Sequence, residues 1–380
     1  MNITYVVDMF PKTSETFIAN EVEEHINNNH NVNVLSLEKT PNKIDIKIKK
    51  VNYLDKISVK KTSLVDMIKL YPELITFVID KENRYWIKCA YFFSKFCGKT
   101  EIIHAQFAGN NARIAFFLSK MIGVPFVLTM HSYDLFSPPS RKRLIKIMKY
   151  ADKLIVPSYK NRSYIIDNFK INPEKISVIR ACARKNKLKK EKKPKEILTV
   201  SRLTEKKGII YLIEAIRIIK NKKPDIKLII IGDGELRKGL EKKTKERGLH
   251  SNIKFLGEMQ GREIQKHLKK AAIFALPCIT ASNKDVDICP LSIQEAMRAG
   301  VPVITTKAGS IPELITEKEG FIVKEKSPEE IAKAIERIMK NNREASIKSE
   351  KAKKKVERDF DITKEVEKLE EIYKNLIKND

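Results

Sequence analysis

No run in this 380-residue chain approaches the roughly 18 uncharged apolar residues that a membrane-crossing helix needs. The nearest stretch, residues 63 to 97, is broken by charges and by Pro72. It reads either as one or two core helices or, in part, as an interfacial membrane surface. The opening MNITYVVDMFPK is too polar and too short in apolar residues for a secretory leader. Cysteine is scarce: Cys89, Cys97, Cys182, Cys278 and Cys289 form an odd set without paired metal-ligand spacing. A chain of this size needs no disulfide staples, so reduced thiols and a cytoplasmic setting are expected. Acidic residues are outnumbered, 48 against 75 Lys and Arg, for a formal net charge of +27. Such an excess implies an anionic partner: nucleic acid, an anionic membrane face or phosphorylated small molecules. The lysines are dispersed and no aromatic–basic module accompanies them, which weighs against nucleic acid.

What is present is a chain with 42% hydrophobic and 32% charged residues, long enough for two domains each burying a core. Short β-branched runs recur at residues 3–8, 32–37, 101–107, 125–131, 153–158 and 175–180, then at 196–202, 227–232, 253–257, 273–277 and 302–307. Between them lie amphipathic stretches. Ile18, Val22 and Ile26 recur at four-residue spacing after a Ser14-Glu15 start that suits a helix N-terminus. After Gly208, the residues Ile209, Leu212, Ile213, Ile216 and Ile219 make one apolar face. This alternation predicts an α/β chain of doubly wound, Rossmann-like domains with parallel sheets. The basic run RKNKLKKEKKPKE, residues 184–196, reads as a linker. It sets expected domains of 1–183 and 197–360, with a C-terminal helix at 361–380 expected to cross back to the first domain. Ligands in such sheets sit beyond the strands' carboxyl ends, and two such domains facing each other make a cleft there.

Three stretches carry candidate chemistry. In LTVSRLTEKKG (198–208), Arg202 and Lys207 follow a strand and precede a helix, where a guanidinium fork and a mobile ammonium suit phosphate. Surface cations in a lysine-rich chain are the plainer reading. IIIGDGELRKGLE (229–241) has Gly232 and Gly234 but lacks the third glycine of a dinucleotide fingerprint. Its turn is either ligand-facing or purely structural. In NKDVDICPLSIQEAMRAG (283–300), Asp285-x-Asp287 could be a divalent-metal clamp, Asp287 and Glu295 could grip a sugar and its carrier, or the acids could be a polar helix entry. Pro290 and Gly300 frame a helix, so Ile288, Cys289, Pro290 and Leu291 lead into an anion-favouring N-terminus.

Eight segments, in this order and spacing, resemble a family-4 retaining glycosyltransferase of GT-B fold over nearly the whole chain: FPKTSETFIANEV (10–22), HAQFAGNNARIA (104–115), LTMHSYDLF (128–136), ADKLIVPS (151–158), VSRLTEKKG (200–208), IIGDGELR (230–237), NIKFLGE (252–258) and QEAMRAGVPVITTKAGSIPELI (294–315). The opening segment is similar to the subgroup that assembles cell-surface polysaccharides of the colanic-acid type. The resemblance implies that Arg202 and Lys207 hold the donor diphosphate and that Glu295 binds ribose hydroxyls. It implies that Asp287 touches the donor sugar and that His131 contacts the transferred sugar. Ser14, Glu15 and Thr16 fall on the acceptor-facing loop. Asp287 departs from the family's Glu, RACA (180–183) lacks the usual interdomain glycine, and ASNKDVD replaces a glycine-rich approach to the first acid.

The implied activity is transfer of a sugar from a nucleoside-diphosphate sugar to a glycan or lipid-linked glycan, with retention and without metal or cofactor. Fixed cations and helix amides would stabilise the leaving diphosphate. The expected setting is cytoplasmic, peripheral on the inner face of the cell membrane, with an anionic membrane surface as a partner and no nucleic acid. A nucleic-acid-binding protein and a non-transferase GT-B enzyme, such as a nucleotide-sugar epimerase, are the alternatives. His104 and Asp134 read more plainly as a hydrogen-bonded strand histidine and a turn cap. The sequence does not decide the oligomeric state.

Overall fold

The computed structural model describes residues 1–40, 47–48, 51–136, 138, 140–185 and 196–379. Most of the basic run, 186–195, lies outside them. The chain divides into two compact units, Met1–Arg180 with Thr363–Asp380, and Ala181–Ile362.

The first unit is built on a seven-stranded parallel sheet: β1 Asn2–Met9, β2 Asn31–Glu38, β3 Val51–Tyr53, β4 Ile102–Gln106, β5 Phe126–Thr129, β6 Lys153–Val156 and β7 Ile176–Val178. Their spatial order is β3-β2-β1-β4-β5-β6-β7, with the reversal between β1 and β4. Side chains alternate across a strand, so β1 feeds two cores. Ile3, Tyr5 and Val7 join Ile18 and Val22 of the first helix and Leu369 and Tyr373 of the last. Val6 turns the other way, to Ile103, Leu128 and the helix Asn110–Ile122. The last helix, Ile362–Asn379, is tied to the first by Glu370, which accepts from Asn28 and meets His25 at 2.9 Å and His30 at 3.2 Å. Burial works against the Glu370 charge, yet His25 and Asn28 hold its pKa down at about 2.

Two local expectations change. The Ser14-Glu15 start is a 3-10 turn, Thr13–Glu15, and the helix Thr16–Asn27 begins without a side-chain cap. Residues 63–97 form not one or two helices but four segments, Leu64–Leu70, Pro72–Leu74, Ile75–Val78 and Lys81–Ser94. Pro72 cannot donate to a continuing helix, and Asp80 caps a fresh one by accepting from the Glu82 amide. Met67, Leu74, Ile87 and Phe93 from these segments are buried, whereas Val65, Leu70, Ile75 and Ile79 are exposed.

The second unit carries a six-stranded parallel sheet: β8 Glu196–Val200, β9 Leu228–Ile231, β10 Ile253–Phe255, β11 Ala271–Ala275, β12 Val303–Thr305 and β13 Phe321–Ile322. The order is β10-β9-β8-β11-β12-β13, which reverses between β8 and β11. Helix Ile209–Lys220 buries Ile209, Leu212, Ile213, Ile216 and Ile219, the face its periodicity predicts.

Candidate active site

In an open parallel sheet, the loops leaving the two strands at the order reversal diverge to opposite faces and leave a crevice. In the second unit those loops leave β8 and β11. The β8 loop carries Arg202 and then a 3-10 turn, Glu205–Lys207, before Gly208 and its helix. The β11 loop carries Cys278, Asp285 and Asp287 and ends at helix Leu291–Arg298.

The two loops meet through ion pairs. Lys207 Nζ lies 2.8 Å from Asp287 Oδ1, and Lys206 Nζ lies 2.8 Å from Asp285 Oδ2. The Cys278 thiol donates to the other oxygen of Asp287 at 3.1 Å. Burial disfavours the Asp287 charge, but the ammoniums of Lys207 and Lys206 outweigh it and hold the carboxyl below its usual range. Burial, then the Asp287 charge, pushes the Cys278 thiol well up, so it stays a donor. The Asp287 carbonyl accepts from the Ser310 amide at 3.2 Å. Gly309, at φ 57°, makes that approach possible, because a Cβ there would stand 1.9 Å from the Asp287 oxygen. Each member of the Asp285-x-Asp287 pair therefore has a lysine of its own.

Arg202 differs from Lys207. It is exposed, and its guanidinium makes no hydrogen bond or ion pair among the described residues. Glu295 sits one turn inside its helix, half-buried, and burial alone raises its carboxyl to about 7. Its neighbour Gln294 accepts from the Ala183 amide and donates to the Ala181 carbonyl, which secures the chain where RACA stands. Pro290 is the residue before the helix, Leu291 its first, Ile288 is buried, and the Cys289 sulfur accepts from Gln294 at 3.0 Å. Gly232, at φ 130°, lies where a Cβ would stand 1.8 Å from the Ser201 carbonyl. That close backbone approach by itself requires glycine, whatever ligand the turn faces.

In the first unit, His131 follows β5. Its backbone amide donates to Asp134 Oδ2 at 2.8 Å, and Asp134 caps this turn as the plainer reading had it. Burial raises the Asp134 carboxyl to about 7. The imidazole packs against Phe17 and Phe107, with ring centroids 4.7 and 4.4 Å away, and its Nε2 is 3.0 Å from Gln106 Oε1. His104 is fully buried and bonded to Thr129 at 2.7 Å and Tyr373 at 2.5 Å, a satisfied strand histidine. Ser14 and Glu15 stand in the 3-10 turn and Thr16 opens the helix; Glu15 pairs with Lys12.

Sequence reasoning passed over Lys206, Cys278 and Gly309 around Asp287, and Gln106 and Glu21 behind His131. A signal existed for Gln106. His104 and Gln106 are two polar residues at period 2 on a strand otherwise of Ile and Ala.

Two family models divide the chain between them. Glycosyltransferase Family 4 matches residues 14–183, and Glycosyl transferases group 1 matches residues 183–356. Among curated relatives, the amylovoran biosynthesis glycosyltransferase AmsK of Erwinia amylovora is 34% identical over 48% of this chain and 45% of its own. The putative colanic acid biosynthesis glycosyltransferase WcaL of Escherichia coli K12 is 32% identical over 44% of this chain and 42% of its own. The matched part thus spans under half the length of either relative. Anabaena HepE, solved with UDP and glucose, superposes with a TM-score of 0.76 at 18% identity, covering 99% of this chain and 100% of its own. Sucrose-phosphate synthase of Thermosynechococcus elongatus gives 0.77 at 15% identity, with full coverage of both chains. Two parallel Rossmann-like units with these matches make the chain a member of the family-4 glycosyltransferases, of GT-B fold.

Proposed function

We propose that this protein moves a sugar from a nucleoside-diphosphate sugar to a glycan or lipid-linked glycan in cell-surface polysaccharide synthesis, with retention and without a metal ion. The observation that carries the reading is the Lys207–Asp287 pair. It joins the two loops that leave the sheet where its order reverses, with a free-standing guanidinium at Arg202 nearby in the chain. The names of AmsK and WcaL support the polysaccharide context, and the UDP and glucose bound by HepE support the donor class.

The chemistry follows from these groups. The bond between the anomeric carbon and the diphosphate oxygen breaks, and negative charge grows on that oxygen. Arg202 and Lys207 offset it, the role a divalent ion takes elsewhere. Lys207 exchanges Asp287 for the diphosphate, which frees the carboxylate to accept from sugar hydroxyls. Glu295 takes the ribose hydroxyls. The acceptor oxygen attacks from the leaving-group face, and its proton passes to the departing phosphate oxygen, so configuration is retained without a protein nucleophile. His131 contacts the transferred sugar, and the Ser14–Thr16 turn serves the acceptor. Metal independence is supported by Lys206 and Lys207, which already neutralise Asp285 and Asp287.

Attachment to an anionic membrane surface belongs to the same reading. Seven of the eleven exposed large hydrophobics among the described residues lie between Ile57 and Phe96, a stretch interleaved with lysines.

The test is turnover in EDTA with nucleotide sugars and lipid-linked acceptors, with the anomeric configuration of the product read by NMR. Transfer with retained configuration is expected. An inverted product, turnover that requires added Mg²⁺ or Mn²⁺, or epimerised nucleotide sugar without transfer would each overturn the corresponding part.

A further inference from the structure

His131 is not held by its own strand alone. A buried line of polar groups runs behind it into the first unit. Gln106, opposite Thr129 in the sheet register, sits at the carboxyl end of β4. Its amide oxygen lies 3.0 Å from His131 Nε2, and its amide nitrogen donates to Glu21 Oε1 at 2.9 Å. Glu21, on the first helix, also accepts from the Tyr5 hydroxyl at 2.7 Å and stands 3.7 Å from His104 Nδ1. The Tyr373 hydroxyl of the C-terminal helix meets that same His104 nitrogen at 2.5 Å. Tyr5, His104, Gln106 and Tyr373 are all buried.

The chemistry of an amide gives this line a direction. Glu21 Oε1 receives the NH2 end of Gln106, so the carbonyl end must face His131. A carbonyl accepts only, so the imidazole must carry its proton on Nε2. The direction is set by ionised Glu21, whose Oε1 can only accept; a proton on that oxygen would allow the amide to reverse. Burial raises that carboxyl to about 7 against the opposing effect of the bonds from Tyr5 and Gln106.

We propose that Gln106 and Glu21 are positioning residues for His131, fixing it as the Nε2–H tautomer and presenting Nδ1 as its lone-pair nitrogen. The consequence for transfer rests on the proposed contact of His131 with the transferred sugar. An imidazole so fixed meets the sugar in one tautomer and one ring orientation. Loss of Gln106 would let the proton redistribute between the ring nitrogens and let the ring turn against Phe17 and Phe107. Gln106 and Glu21 need touch no substrate for this.

The experiment is long-range ¹H–¹⁵N correlation on ¹⁵N-histidine-labelled protein, with His131 assigned by its absence in His131→Ala. At pH 8, where Glu21 is ionised, the wild type should show Nε2–H. Gln106→Met should show a mixture of tautomers, with kcat down about tenfold and donor KM within about twofold. If that variant does not fold, the near-isosteric Glu21→Gln, which loosens the orientation of the Gln106 amide, should shift the same resonances. A wild-type Nδ1–H tautomer, or a tautomer indifferent to whichever variant folds, would overturn the positioning. Full turnover in His131→Ala would overturn the sugar contact instead, while a tautomer that answers to Gln106 would still uphold the positioning.

Discussion

Replacing Lys207 should damage the fold as well as the reaction. Its ammonium and the Asp287 carboxylate are 2.8 Å apart, with side chains only 11% and 10% exposed. Removing one member of a buried pair leaves the other charge desolvated, at a cost of about 3–5 kcal/mol. The residual exposure and the Cys278 bond favour the lower end, about 3 kcal/mol, for either Lys207→Met or Asp287→Asn. For a unit of this size that is a fall in Tm of roughly 6–12 °C. The double variant removes both charges, so it should cost less than the sum of the singles by about 2 kcal/mol. The pH dependence has a definite sign. The native Asp287 pKa is depressed, so its contribution is fully present above the unfolded value of about 3.9 and fades as pH falls through the native one. The gap between wild type and Asp287→Asn should therefore narrow only in acid below about pH 4. Differential scanning calorimetry of the four proteins between pH 3 and 8 measures all of this. Single variants within about 1 °C of wild type at pH 7, or strictly additive losses, would refute the buried pair.

Arg202→Ala should separate the two effects that Lys207 combines: turnover down about a hundredfold with Tm nearly unchanged, and a large Tm loss would show a structural role instead. Glu295→Gln should stabilise the protein at pH 8 by on the order of 2–3 kcal/mol. The sign is opposite to that of Asp287, because a carboxyl raised to about 7 favours the native state below its unfolded value near 4.3 and loses that advantage as pH climbs to 7. Urea unfolding across pH checks it, and a variant no more stable than wild type at pH 8 would contradict it. The double change Ile75→Ser and Ile79→Ser, at side chains 55% and 76% exposed, should weaken flotation with phosphatidylglycerol vesicles by about tenfold and leave Tm alone. Unchanged flotation would remove this stretch from the membrane contact.

Eleven strands were legible because β-branched runs of four or more residues between helical periods leave little ambiguity. Val51–Tyr53 and Phe321–Ile322 were not, because both sit in short segments closed in by charged residues, KKVNYLD and EGFIVKE, rather than in an extended apolar run. Arg202, Lys207, Asp287 and Glu295 could be located from motif order, but not the pairing of Lys207 with Asp287 across 80 positions. That pairing depends on two loops leaving neighbouring strands, a consequence of sheet order. It also gives a physical account of Asp at 287. The shorter carboxylate is held at once by a lysine, a thiol and, through its backbone, the Gly309 turn. The first helix shows the opposite failure. Ser14 reads as a cap, yet a 3-10 turn precedes the helix and no side chain caps it.

The most direct test of a nucleotide-sugar site is thermal unfolding across a panel of nucleoside-diphosphate sugars in EDTA, because a ligand of the native state must raise its Tm. At least one such sugar should stabilise the wild type, by about 2.7 kcal/mol at a hundredfold excess over Kd, and the shift should vanish in Arg202→Ala. Stabilisation by none of them, together with stabilisation by duplex DNA, would contradict it.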